Sequence, residues 1–131
     1  MAAKQITIWV KNRPGNLAKI AGVLAAKRIN ISGLYASDAP GRSAVRLLVS
    51  SAARAKATLK AAGFRVSEEP VAVVRLADRP GQIARVAGRL ARARINISYA
   101  YVTVSPGAKR ADIVMGFGSA AAARKARAGG R

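Results

Sequence analysis

Cysteine and histidine are both absent from the 131 residues, and only five residues are acidic. Without cysteine there is no disulfide, no thiol nucleophile and no thiolate metal ligand. Without histidine, the usual general base and the imidazole metal ligand are missing as well. The acids offer one adjacent pair, Glu68 and Glu69, which point to opposite sides of an extended strand and cannot share a reacting atom. No phosphate loop of the form GxxxxGK[ST] occurs. The expectation is a protein that is not an enzyme and that uses no cofactor and no metal. Nor does any unbroken apolar run approach the roughly 18 residues of a membrane span. The start, MAAKQITIWVKN, lacks the long apolar stretch of a secretory signal. A cytoplasmic protein with no membrane partner is expected.

What the chain has in excess is positive charge. Its 24 Lys and Arg against five acids give +19, where a small soluble domain ordinarily carries a magnitude of about 2 to 8. Arg85, Arg89 and Arg92 fall on one side of a helical segment with no acid three or four residues away. Such a run is commonly a solvated helix face, but few acids exist anywhere to neutralise this one. Non-specific attraction to nucleic acid or another polyanion is expected, weakening steeply with salt. Sequence-specific RNA reading is not, because AVRLLVS has no aromatic residue for a base to stack on. Trp9, Tyr35, Tyr99, Tyr101 and Phe117 are scattered over other strands.

The chain also repeats itself. Asn12 to Ser32, NRPGNLAKIAGVLAAKRINIS, returns 66 positions later as DRPGQIARVAGRLARARINIS, with 13 of 20 positions identical between Arg13–Ser32 and Arg79–Ser98. Before the first copy, QITIWV alternates Ile6, Ile8 and Val10 with Thr7 and Trp9, a strand with one covered face. Leu17, Ile20, Ala21, Leu24 and Ala25 form a helical stripe, with Pro14 suited to the first helical turn. INISGLYASD and AVRLLVSS read as a hairpin around a type II turn at Pro40 and Gly41. Ser50 or Ser51 caps a second helix with Ala52, Ala55, Leu59 and Ala62 on one face, which Gly63 closes. FRV begins a short strand that ends near Pro70.

The second copy follows the same order, with a hairpin around SPGAK. Its last helix begins at Ser119 as a cap, has no leucine equivalent to Leu59, and is not followed by a further strand. A frayed helix and an incomplete sheet are expected. Arg28 and Arg94 stand where a helix end often has glycine, and a non-glycine left-handed residue costs on the order of 1 kcal/mol. These helices are therefore expected to end by another route. The fold class is α+β, two ferredoxin-like βαββαβ units in tandem at residues 1–69 and 70–131, with helices on one face of antiparallel sheets and the second lacking its last strand. Exposed sheet edges in the second unit favour a homodimer.

A strand followed by [ND]-R-P-G, an apolar helix and then I-N-I resembles the ACT domain, and the tandem resembles small stand-alone amino-acid-binding ACT proteins. That resemblance implies a regulatory protein that binds a free amino acid where two domains meet. It pairs Asn12 with Asn96 at one site and Asp78 with Asn30 at the other. The histidine that serine-binding relatives place two residues before the turn Asn is Val10 in the first copy and Leu76 in the second. The candidate ligand-binding residues are the two turns, Asn12, Arg13, Pro14, Gly15, Asn16 and Leu17 with Asp78, Arg79, Pro80, Gly81, Gln82 and Ile83, and the strand entrances, Asn30 and Ile31 with Asn96 and Ile97.

The residue chemistry points the same way. A helix N-terminus leaves about four N–H groups unpaired and attracts a carboxylate. Gly15 and Gly81 let a ligand approach the main chain, Asn12 and Asn30 both donate and accept, and an ionised Asp78 only accepts, which favours an ammonium group. The same turn residues also serve an ordinary helix start, and Asn30 can pair with local backbone. A basic nucleic-acid or polyanion-binding protein, and an interaction module with vestigial ligand sites, are the alternative functions.

Overall fold

The computed structural model describes residues 2–38, 43–104 and 109–129. The expected turn at Pro40 and Gly41, and Ser105 to Ala108 of the SPGAK turn, lie outside them. The elements run β1 (Ala2–Trp9), α1 (Asn16–Ala26), β2 (Ile31–Ser37), β3 (Ala44–Val49), α2 (Ala52–Ala61), β4 (Arg65–Ala77), α3 (Gln82–Arg92), β5 (Tyr99–Val104), β6 (Arg110–Gly116) and α4 (Ala120–Gly129). They divide into two compact units, Lys4–Glu69 and Pro70–Arg131 with Met1–Ala3. No helix among the described residues is long and apolar enough to cross a membrane.

In the first unit the strands lie in the order β2-β3-β1-β4. Ile6 sits opposite Leu47, Ile8 opposite Val45, and Leu34 opposite Leu47. The period-two pattern of β1 aims Ile6 and Ile8 at one core, where Ile20 and Leu24 of α1, Ala55 and Leu59 of α2, and Ile29 close over Val45, Leu47 and Val66. Full burial of each large aliphatic side chain contributes about 1.5 to 3 kcal/mol, so this cluster holds the two helices to the sheet. The expectation of one covered face for β1 is corrected, since Gln5 and Thr7, which point the other way, are also fully buried. Ser51 caps α2 by accepting from the Arg54 N–H at 3.3 Å, and Gly63 closes it at φ 92°.

The second unit repeats the plan with the later half of β4, then β6, then β5. Leu76 pairs with Ala111, Val74 with Ile113 and Ala72 with Met115. Val86 and Leu90 of α3 and Ala123 and Ala126 of α4 cover Leu76, Ile113 and Met115, with Ile95 and Phe117 at the margin. Among the described residues no strand follows α4 in this unit, which also takes in Ala2 and Ala3 at the start of β1. The expectation of a frayed last helix is corrected: α4 is a regular ten-residue helix. Ser119 caps it, accepting from the Ala122 N–H at 3.1 Å. Two buried alanines do the work of the missing leucine by letting α4 sit close to its neighbours.

Two further expectations yield to local geometry. Pro70 lies inside β4, which runs unbroken from Arg65 to Ala77; proline supplies no ladder N–H but its fixed φ is compatible with extended chain. Arg28 and Arg94 do take the left-handed conformation, at φ 56° and 57°. The reason is a Schellman closure at each helix end. The Ile29 N–H reaches the Leu24 carbonyl and the Arg28 N–H that of Ala25; Ile95 and Arg94 do the same with Leu90 and Ala91. Leu24 with Ile29, and Leu90 with Ile95, are then buried together. That apolar clasp outweighs the strain on the arginine.

Arg28→Gly and Arg94→Gly are each expected to raise stability by about 0.5 kcal/mol, the left-handed strain relieved less the added freedom of the unfolded chain. Urea midpoints measure this, and a lowered midpoint would mean the arginine side chains stabilise more than their backbone costs. Glycine contrasts give opposite signs. The Tyr99 ring occupies the space a Cβ on Gly116 would need, so Gly116→Ala is expected to cost about 1 to 3 kcal/mol. At Gly22, helical and open, alanine is expected to add about 1 kcal/mol.

Candidate functional site

The site of interest forms where β1 hands the chain to α1. Arg13, Pro14, Gly15 and Asn16 make a type II turn: the Asn16 N–H reaches the Arg13 carbonyl at 3.2 Å, and Gly15 stands at φ 89°, ψ −15°. Glycine is required by that φ and not by crowding, because a Cβ there would meet nothing within 4 Å. Gly15 is itself the N-cap, with no side-chain cap. Helix α1 therefore starts at Asn16, and Pro14 belongs to the turn before it instead of the first helical turn. The turn holds the Asn16 N–H, and with no capping side chain the next N–H groups, of Leu17 and Ala18, and the positive end of the α1 dipole are left open.

Against this turn lies a depression of about 210 Å³, entirely within the first unit. It is lined by the β1 end and turn (Val10, Lys11, Asn12, Arg13), by Asn16 and Leu17 of α1, and by Ala36, Ser37, Asp38, Ser43, Ala44 and Val45 from the two arms of the hairpin. A shallower hollow of about 400 Å³ adjoins it, reaching Trp9 and Arg65. Asn16 Nδ2 donates to the Lys11 carbonyl at 2.7 Å and holds the turn in shape. Leu17, expected on the buried stripe, is 42% exposed and forms part of the apolar wall.

One side chain not singled out from the sequence dominates the polar side. Asp38 accepts from Ser43 Oγ at 2.6 Å and from Asn12 Nδ2 at 3.0 Å. The Ser43 hydroxyl, and secondly the Asn12 amide, hold its carboxyl below the ordinary carboxylate range. An ionised carboxylate and a helix N-terminus flanked by Lys11 and Arg13 thus line the same depression. The chemistry is bipolar, and it suits a molecule with an ammonium group at one end and a carboxylate at the other. The segment SDAPGRS reads as a turn, so Asp38 is overlooked; the signal available was scarcity, since in a chain with five acids the position of each one carries information.

Asn12, Arg13, Asn16 and Leu17 are brought together at the depression, and Pro14 and Gly15 shape the turn beside it. Asn30 and Ile31 are not part of it. They follow the far end of α1, about 16 Å away along an eleven-residue helix. The Asn30 N–H donates to Ser50 Oγ at 3.1 Å and its carbonyl accepts from the Ser50 N–H at 2.9 Å. In the second unit Arg79, Pro80, Gly81 and Gln82 form the matching turn, with Gly81 at φ 92° as the N-cap of α3 and Ile83 57% exposed. The Asp78 N–H donates to the Lys109 carbonyl at 2.8 Å. Asn96 and Ile97 follow α3 as Asn30 and Ile31 follow α1, and Asn96 is exposed. The repeat spacing puts Val104 where the first copy has Asp38, and Asp78 where it has Asn12. Each turn region keeps one carboxylate, supplied by the hairpin in one unit and by the turn in the other.

Comparison with known proteins agrees with this plan. No curated protein matches the chain in sequence. Among solved structures, protein BT0572 from Bacteroides thetaiotaomicron is similar with a TM-score of 0.84 and 28% identity, over 96% of this chain and 86% of that one. The ligand-free regulatory subunit of aspartate kinase from Thermus thermophilus gives 0.64 and 19% over 98% and 94%, and its counterpart from Thermus flavus 0.63 and 19% over 97% and 90%. At that identity the last two speak for the fold alone. A family model described as an ACT domain pair matches residues 1–123, a span that takes in both R-P-G turns, both I-N-I strand entrances and the start of the last helix. With two βαββα frameworks built around those repeated turns, the chain belongs to the ACT domain pair family.

Proposed function

We propose that this protein is a regulatory sensor of a small molecule and that it binds a free amino acid at the turn between β1 and α1. The observation that carries the reading is the Asp38 carboxylate, held by Ser43 and Asn12 in the same depression that the uncapped start of α1 lines. In this reading the ligand ammonium group meets Asp38 and the Asn12 Oδ1, and the ligand carboxylate meets the first N–H groups of α1 with Arg13 or Lys11 beside them. The apolar wall of Leu17, Val10 and Val45 takes a small side chain. Regulation, as opposed to catalysis, is supported by membership of the ACT domain pair family. The resemblance adds Asn96 to this ligand, and Asp78 with Asn30 to a second one.

A thermal-shift series with each of the twenty amino acids tests the proposal. One of them at a hundred times its dissociation constant is expected to add about 2.7 kcal/mol of stability, and equal melting temperatures throughout would count against a sensor of amino acids. Asp38→Asn, which keeps the shape and removes the charge, is expected to weaken that ligand at least tenfold, about 1.4 kcal/mol, since hydrogen bonds to charged groups contribute about 1.5 to 3 kcal/mol. Unchanged affinity would place the ligand elsewhere. Because the folded pKa of Asp38 is lowered, affinity is expected to be flat from neutral pH down through the ordinary carboxylate range and to fall only at more acid pH, where the carboxyl takes up its proton. Asn96→Ala is expected to weaken the same ligand, and an unchanged Kd would assign it to the first unit's depression alone.

A further inference from the structure

The distribution of charge over the two layers of each unit is not what helix stability would choose. All five acids lie on strands or beside their ends: Asp38 follows β2, Glu68 and Glu69 are in β4, Asp78 follows β4 and Asp112 is in β6. Four of them are engaged there, Asp38 with Asn12 and Ser43 and the others with Lys4, Arg46 and Arg75. The four helices contain no Asp or Glu at all. Helix dipoles favour acids in the first turn, each by about 0.3 to 1 kcal/mol. The sequence instead puts Lys19, Arg54 and Arg85 there and leaves the first turn of every helix without an acid. Each cation repels the helix end that it occupies, so the pattern weakens the fold slightly and calls for a compensating partner.

The second unit carries it furthest. Helices α3 and α4 pack side by side. Arg85, Arg89 and Arg92 form a stripe about 10 Å long on α3, with Arg85 Nη2 donating to Gln82 Oε1 at 3.0 Å and Arg92 lying over Gly88. On α4, Arg124 and Lys125 are exposed. Arginine predominates, the side chain whose planar donor fork matches phosphate. None of the four helices contains an aromatic residue, so this layer offers no aromatic platform of the kind on which unpaired bases stack. An amphipathic helix lies in a membrane by a broad apolar face, whereas here Val86, Leu90, Ala123 and Ala126 are committed to the core and Ile83 at the start of α3 is the large apolar side chain left exposed on these two helices.

We infer that the helix layer of the second unit, α3 with α4, binds the phosphate backbone of duplex nucleic acid without reading its sequence. Affinity then comes from counterion release, about 0.9 in the slope of log K against log salt for each phosphate neutralised. This inference is independent of the amino-acid site, which lies on the first unit's strand-to-helix turn.

The test is fluorescence anisotropy of a labelled duplex of about 20 base pairs, titrated with the full chain across a salt series. Arg85→Gln with Arg92→Gln is expected to lower affinity at least tenfold and to reduce the salt slope by about 2. Lys109→Gln with Arg110→Gln removes the same charge from exposed positions off the helices and is expected to change affinity less than twofold. Arg124→Gln with Lys125→Gln repeats the first test on α4, should the α3 pair fail to fold by circular dichroism. Equal losses from helix and control pairs would overturn the inference by reducing it to net charge. So would a duplex left unbound at about 100 mM salt, or binding to phosphatidylglycerol vesicles in its place.

Discussion

A single backbone constraint organises this molecule. Gly15 and Gly81 sit near φ +90°, a conformation that other residues enter only with strain. With proline before each, the chain leaves a strand, reverses and enters a helix in four residues. Because glycine itself takes the N-cap position, no side chain closes the helix start. Asn12 is thereby released from capping and reaches across to Asp38. The fold and the candidate site thus share one cause: the turn that sends each helix back over its sheet also leaves the helix N–H groups open to a ligand.

Much of this is legible in the sequence because it is written in strong periodicities. Ile6 and Ile8, the Ile20 and Leu24 stripe and the Ala55 and Leu59 pair all reach the core that their spacing indicates, and the doubling of R-P-G and I-N-I announces two similar units. What was not legible depends on contacts that no local pattern records. Pro70 reads as a break but lies within a strand, since only the ladder decides whether its missing N–H matters. Arg28 and Arg94 read as too costly for the left-handed region, yet the burial of Ile29 and Ile95 against the preceding turn offsets the strain. Asp38 reads as a turn residue because Asn12, its partner, is 26 positions away. Of the site, the turns could be found from sequence and the Asp38 carboxylate could not.

The same scarcity of acids shapes both functional readings. Four of the five acids are held by specific partners on or beside a strand, and the ionised Asp38 supplies the negative pole of a bipolar depression. Where acids are missing, on every helix, each charged side chain is basic. A neutral zwitterion and a polyanion would therefore meet different parts of the protein, the strand-to-helix turn of the first unit and the helix faces of the second. Ligand and polyanion would be sorted by charge distribution before any finer recognition took effect.

The account's central claim is that an uncapped helix start and a held carboxylate clasp a zwitterion between them. Titrating ¹⁵N-labelled protein with each amino acid in turn, and following the amide signals, tests it most directly. A binding amino acid is predicted to move the Asn12 side-chain amide together with the backbone N–H groups of Leu17 and Ala18. Shifts that spare those three groups, or no shift with any amino acid, would contradict it.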